Sequence, residues 1–391
     1  MAFATESSLV SLACKLASEE RFEDAIVCFG AALEMNPNNT AALGALGRVL
    51  QFQGKLEAAE AIFRRALRIE PANAWLHAYL GSLLLLAGRF DECWAELEWQ
   101  WRTEPLRSAA TQVGLPRWDG SSLEGRGILL QAPAGGFGDN IMWARWIPAV
   151  AAEAARVVMQ CPSELARLLG RSAGVQQVIT LDEPAPAGLH VHAPLTSLPY
   201  LLARPRPEDS PPPYLAPDPT DVDRWAGILG PRSALRVGVA WATAADHPGA
   251  ERRSMPLACL EPLMRVPGVS LFSLQKGEAA SSELAASGLP IQDLTGELRD
   301  FADTAALLAQ LDLVVAVDTA VAHLAGALAR PLWILLAARP DGRWLLRGED
   351  SPWYPTARLF RQEADWDWPP VVARAAEALE HARGLADLYD T

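Results

Sequence analysis

Apolar and small positions in the first hundred residues recur at a spacing of 34. Ala25, Ala59 and Cys93 share one register, Phe29, Phe63 and Leu97 a second, and Pro37, Pro71 and Pro105 a third. Leu12, Leu46 and Leu80 make a fourth, each followed by a small residue: Ala13, Gly47, Gly81. Small residues let two helix backbones touch, a leucine or aromatic knob fills the contact, and proline stops the second helix. The pattern predicts helix–turn–helix repeats in roughly three copies over residues 6–107, the third divergent (ECWAELEWQW). Such a stack serves as scaffolding, or offers a concave groove to an extended peptide.

From about residue 125 the pattern changes to short apolar runs alternating with amphipathic stretches, which predicts parallel sheets covered by helices. Strands are expected at 127–133, 156–160, 175–180, 189–194, 235–241 and 269–275, and a helix over 139–154. Residues 204–219 hold seven prolines and read as an extended connector. The clearest unit is 311–336: a strand, a turn at Asp318-Thr319, a helix and another strand. The expected fold class is therefore α plus α/β, with repeats over 1–110, one Rossmann-like half over 121–215, and a second over 220–388 with a closing C-terminal helix. A cleft between the halves would be faced by the turns where strand ends meet helix starts.

Charge and composition narrow the partners. The 391 residues carry 34 Lys+Arg against 47 Asp+Glu, a net charge of -13, which argues against nucleic acid or an anionic membrane surface. The 5 cysteines are scattered and contain no C-x-x-C, which excludes a disulfide framework or thiolate zinc site and suits a reducing compartment. No basic, apolar leader opens the chain, and the most apolar windows are short or interrupted by Asp318, His323 and Arg330. A cytoplasmic protein with no integral membrane segment is expected.

The two turns carry the candidate chemistry. At Asp318-Thr319 the following helix start can hold a diphosphate through its N–H groups, with Thr319 donating to a phosphate oxygen. His323, one turn on, can donate to a leaving group. Asp318 would repel phosphate and suits ribose hydroxyls or orientation of a neighbour. The bland alternative is an ordinary helix cap with a packed histidine. In the second turn, GGFGD (135–139), Gly136 and Gly138 permit close approach of a ligand. Asp139 can act as general base for an incoming hydroxyl, or merely cap its helix. A nicotinamide site fits poorly, because Ile141 stands where the third glycine of G-x-G-x-x-G belongs and Gln160-Cys161-Pro162 brings no acid for a ribose. Arg252, Arg253 and Gln275-Lys276 follow two strands and could neutralise a diphosphate, or be solvated charge. His190 and His192 have metal-pair spacing but no third ligand nearby, so packed histidines are expected. The Trp- and Arg-rich segment 341–354 could stack a base or simply pack.

Taken together, GGFGDNIMWARWIP (135–148), VGVAWATAADHPGAERRSMP (237–256), SLQKGE (273–278) and LDLVVAVDTAVAHLAGALARPLWILL (311–336) resemble glycosyltransferase family nine, the ADP-heptose heptosyltransferase-like group with the GT-B fold. The front 34-residue units resemble tetratricopeptide repeats, and the combined order is similar to bacterial repeat-containing glycosyltransferase-like proteins. Asp318 to Ala325 matches D-[ST]-G-x-x-H-[LI]-A, except that Ala320 replaces the glycine. The resemblance implies Asp139 as catalytic base, and Thr319, Ala320 and His323 at the donor diphosphate with Asp318 nearby. It further implies Arg253 as a basic phosphate contact and Trp241 and Thr243 on a phosphate-side turn. It implies inverting chemistry with no metal and no cofactor beyond a nucleoside-diphosphate sugar. With the repeats, the expected acceptor is a polypeptide hydroxyl, the alternatives being a lipid-linked or a small saccharide acceptor. The rival expectation is a non-catalytic interaction protein with a degenerate body, for which the alanine at 320 speaks.

Overall fold

The computed structural model describes residues 5–104, 106–107, 113–132, 136–244, 247, 249–364 and 366–389, the last seven by backbone alone. The chain forms two compact units, Met1–Gly114 with Asp341–Arg347, and Leu115–Pro340 with Gly348–Thr391.

In the first unit, helices pair as α1 (Glu6–Ser18) with α2 (Phe22–Met35), α3 (Thr40–Phe52) with α4 (Leu56–Ile69), and α5 (Ala74–Leu86) with α6 (Phe90–Leu97). The 34-residue registers are steric fits. A Cβ on Gly47 would stand 2.5 Å from the Phe63 ring, and one on Gly81 2.8 Å from Leu97. Ala25, Ala59 and Cys93 are fully buried beside them. Each turn within a pair contains a left-handed residue, Glu20, Gly54 or Gly88, again 34 apart. Asn39 and Asn73 cap α3 and α5 through their side-chain oxygens. Pro37 and Pro71 follow the ends of α2 and α4; Pro105 lies outside the described residues. The divergent third copy shows as a shortened α6 running into a 3-10 turn, Glu98–Arg102. Trp99 there stacks on His77 at 4.0 Å. The returning segment Asp341–Arg347 completes this unit, with Trp344 wholly buried.

The second unit holds two sheets whose strands all pair in parallel. The first, in order β3-β2-β1-β4, uses β1 (Gly127–Gln131), β2 (Arg156–Gln160), β3 (Gln177–Ile179) and β4 (Val191–Pro194). The second runs β10-β9-β8-β5-β6-β7, from β5 (Leu235–Ala240), β6 (Val269–Ser273), β7 (Ile291–Asp293), β8 (Leu313–Val317), β9 (Leu332–Leu336) and β10 (Ala357–Arg361). Chain order reverses between β1 and β4 and again between β5 and β8. These are the switch points where an open α/β sheet leaves a crevice at its strand ends.

The helices that matter for the site are α7 (Phe137–Trp143), α8 (Ser163–Leu169), α9 (Pro219–Leu229), α10 (Glu278–Ser287), α11 (Phe301–Ala309), α12 (Ala320–Ala327) and α13 (Pro369–Tyr389). The single helix expected over 139–154 is broken. After α7 come a 3-10 turn, Ala144–Trp146, and a fresh turn, Ile147–Ala151, that starts around Pro148, which has no N–H to continue the ladder. The proline-rich connector packs down, with the Tyr214 N–H donating to the Ala327 carbonyl at 3.1 Å. Ion pairs tie α8 to α9 and α11: Arg167 meets Asp221 and Asp300, while the wholly buried Asp303 takes bonds from Arg299 and lies 2.9 Å from Arg224.

The two histidines expected on one strand are separate packing elements, His190 standing just before β4 and His192 within it. His190 Nδ1 accepts from the Gly127 N–H at 3.0 Å, whereas buried His192 pairs with Gln131 at 2.7 Å. Burial, with the charge of Arg117, pushes His192 down from 6.5 to about 4. The unfolded chain therefore binds a proton first as pH falls. Stability is unaffected by this group above about 6.5 and drops as pH falls from there toward 4, by up to roughly 3 kcal/mol. Denaturant titrations at pH 7 and pH 4.5 should show a smaller acid loss in His192→Gln than in wild type. Equal losses would contradict it.

Candidate active site

β8 is apolar and fully buried along its length, so it delivers Asp318 and Thr319 to the sheet's carboxyl edge. Thr319 occupies the N-cap of α12 in extended conformation, yet its side chain makes no capping bond. The capping alternative thus fails for this hydroxyl, which is half-buried at the helix mouth. Asp318 is buried, with Oδ2 3.2 Å from Arg253 Nη1 and Oδ1 3.8 Å from His323 Nε2. Its charge is answered by Arg253, so it orients neighbours instead of facing an anion unscreened. Arg253, at 21% side-chain exposure, still reaches solvent.

Opposite stands α7. Gly136 is its N-cap in the left-handed region, φ 56 and ψ 45. Asp139 lies in the first turn, half-buried. Its Oδ2 is 2.9 Å from where a Cβ on Gly136 would stand, so the carboxylate takes the room that this glycine leaves. A Cβ on Gly138 would fall 2.7 Å from His323 Cδ2 and 3.3 Å from Ala320 Cα. The starts of α7 and α12 therefore touch, and only glycine fits at 138. Gly138 meets Ala320 and His323 where α7 and α12 start, with Gly136 and Asp139 in the same first turn of α7, Thr319 and Asp318 leading into α12, and Arg253 reaching Asp318. Gly135 lies outside the described residues.

Three expected donor contacts have other employment. Trp241 is 2% exposed within the apolar core of its sheet, so it cannot present its ring to a nucleotide. Gln275 Oε1 accepts from the Ala242 N–H at 2.9 Å. Lys276 Nζ donates to the Leu298 and Arg299 carbonyls at 2.6 and 3.3 Å. Trp241 is taken up by the core, and Gln275 and Lys276 by the backbone of neighbouring loops. The turn at Thr243 is tied to the residues after Arg253: the Thr243 N–H donates to Ser254 Oγ at 3.1 Å and the Met255 N–H to the Trp241 carbonyl at 2.9 Å. That pairing holds the turn against Arg253.

The profile of glycosyltransferase family 9 (heptosyltransferase) matches residues 265–385, and that of the tetratricopeptide repeat matches 16–65 and 52–99. The chain joins tetratricopeptide repeats to a glycosyltransferase family 9-like domain. Protein FlbA of Caulobacter vibrioides is 29% identical over 314 residues, 71% of this chain and 50% of its own length; the chain spans about half of that curated relative. Escherichia coli ADP-heptose LPS heptosyltransferase II is 16% identical with a TM-score of 0.48, covering 66% of this chain and 99% of its own. The glycosyl transferase family 9 structure from Veillonella parvula is 11% identical with a TM-score of 0.49, covering 66% and 98%.

Two residues of the glycosyltransferase-like domain went unrecognised in the sequence. Tyr354 donates or accepts at His323 Nδ1, 2.8 Å away, and Arg145 is 1% exposed inside a ring of Trp146, Tyr214, Trp353 and Tyr354. Trp353 and Tyr354 are buried, which settles the base-stacking alternative for 341–354 in favour of packing. The available signal was Gly326, three residues after His323, whose purpose shows only beside Tyr354.

Proposed function

We propose that the body transfers a sugar from a nucleoside-diphosphate sugar to an acceptor hydroxyl. The acceptor O–H gives its proton to the Asp139 carboxylate as its oxygen attacks the anomeric carbon. The bond from that carbon to the diphosphate breaks, and the diphosphate leaves with the electron pair. A single displacement of this kind inverts the anomeric centre. Thr319, the N–H groups opening α12, Arg253 and His323 receive the departing charge. The observation that supports the reading is the close approach of Gly138, next to Asp139 in the first turn of α7, to His323 and Ala320 at the start of α12.

For the acceptor we propose a polypeptide held by the repeats. Supporting this, α3 and α5 bound a groove of about 360 Å³ containing Arg48, Asn73, Trp75 and Tyr79. Trp75 is 54% exposed there, and the Arg48 guanidinium lies 5.1 Å from the Tyr79 ring centroid. An exposed tryptophan, a half-buried tyrosine and a cation suit an extended chain bearing apolar and carboxylate groups.

A melting-temperature screen against UDP, GDP, ADP, CMP and dTDP sugars tests the donor, since a ligand bound by the folded state raises the midpoint by mass action. We expect one nucleotide class to stabilise the protein, and Arg253→Ala to weaken that nucleotide about 10- to 100-fold, the worth of one charge-assisted hydrogen bond. Failure of every nucleotide to bind, with no donor hydrolysis, returns the protein to the scaffold reading.

A further inference from the structure

We propose that Tyr354 is a positioning residue that holds His323 in the tautomer with its proton on Nε2, the nitrogen on the Asp318 side. The inference rests on the reading above that His323 serves the departing diphosphate, and adds how that imidazole is kept as a donor. His323 is 2% exposed and Tyr354 0%, so neither can borrow water for an unmet bond. Nδ1 meets the Tyr354 hydroxyl at 2.8 Å, while Nε2 looks toward Asp318 Oδ1 at 3.8 Å. A carboxylate only accepts, which favours the proton on Nε2; Nδ1 is then the acceptor and the phenol the donor. A guanidinium only donates, so Arg145, 5.4 Å from the Tyr354 ring centroid, offers the phenol hydrogen no competing acceptor.

The surroundings fix the phenol as firmly as the imidazole. A Cβ on Gly326 would stand 2.4 Å from the Tyr354 ring, so the missing side chain one turn past His323 is the seat on which that ring lies. Ser351 Oγ accepts from the Trp353 and Tyr354 N–H groups at 3.2 and 3.3 Å. Arg145 Nη2 donates to the Trp353 carbonyl at 3.0 Å, and Nη1 to the Pro207 carbonyl at 3.4 Å. Glycine seat, serine clasp and caged arginine thus hold one side chain in place, and its hydroxyl meets the histidine nitrogen facing away from Asp318.

The test uses full-length protein labelled with ¹⁵N-histidine, which has 6 histidines to assign. Long-range ¹H–¹⁵N spectra should show His323 protonated at Nε2 in wild type, and a shifted or mixed tautomer pattern in Tyr354→Phe, with the other histidines unmoved. His323→Gln identifies the resonance. In parallel, calorimetric affinities for UDP, GDP and ADP are compared. The diphosphate that binds wild type should bind Tyr354→Phe about tenfold more weakly, while Arg374→Ala, on the far helix α13, leaves it unchanged. Protonation at Nδ1 in wild type, or a Tyr354→Phe spectrum and affinity equal to wild type, overturns the proposal. If none of the three nucleotides binds wild type, the donor reading fails while the spectra still decide the tautomer.

Discussion

Asp139→Asn is expected to lower the rate of sugar transfer by about a hundred- to ten-thousandfold, the usual worth of a positioned general base, while leaving nucleotide affinity within about twofold. The amide keeps the shape of the carboxylate in the space left by Gly136, so α7 retains its packing on α12. What it loses is basicity. Loss of the negative charge from the first helical turn costs well under about 1 kcal/mol, so the melting temperature should barely move. Steady-state kinetics with the donor found by the nucleotide screen, alongside a melting curve, make the check. A variant that transfers sugar at the wild-type rate would remove Asp139 from the chemistry, and one that unfolds would show its role to be capping.

Asp303→Ala carries the largest expected effect on stability, about 3 kcal/mol or a fall of roughly 6–12 °C in melting temperature. Its carboxylate has no exposed surface, accepts from the Arg299 N–H at 2.9 Å and from Arg299 Nε at 2.6 Å, and lies 2.9 Å from Arg224 Nη2. Burial alone would raise its pKa; the hydrogen bonds from Arg299 and the charges of Arg224 and Arg299 outweigh that and hold the carboxyl far below the usual 3.8. The sign follows. The stabilisation is complete above about pH 4 and is lost as pH falls below the ordinary carboxyl value. By contrast Arg167→Ala, whose side chain is 44% exposed, should cost under about 1 kcal/mol. Thermal melts of both variants at pH 7 make the comparison. Equal small losses would mean that the cluster is ordinary surface charge.

How far each feature could be read in advance tracks the distance over which its cause acts. The repeats were legible because Gly47 with Phe63, and Gly81 with Leu97, are contacts between neighbouring helices repeated at one spacing. The Asp318-Thr319 turn was legible because an unbroken apolar strand runs at once into an alanine-rich helical stretch. β7 and β10 were not: the first is three residues long with two exposed, and the second holds its apolar pair Leu359-Phe360 between Arg358 and Arg361. Lys276 and Gln275 look like cations and amides free for phosphate until the loops opposite them are in place.

By itself the sequence determined the 34-residue stack, the alternating α/β body and the two turns that bear Asp139 and His323, since periodicity and helix-start chemistry act within one or two neighbouring elements. Tertiary structure alone decided the strand order, the burial of Trp241, the pairing of Arg253 with Asp318 and the placing of Tyr354 on Gly326 against His323. Those contacts join side chains 28 to 65 positions apart, as for Gly326 with Tyr354 and for Arg253 with Asp318. At such separations the partner is chosen by how closely whole elements can pack, and no local pattern records that choice.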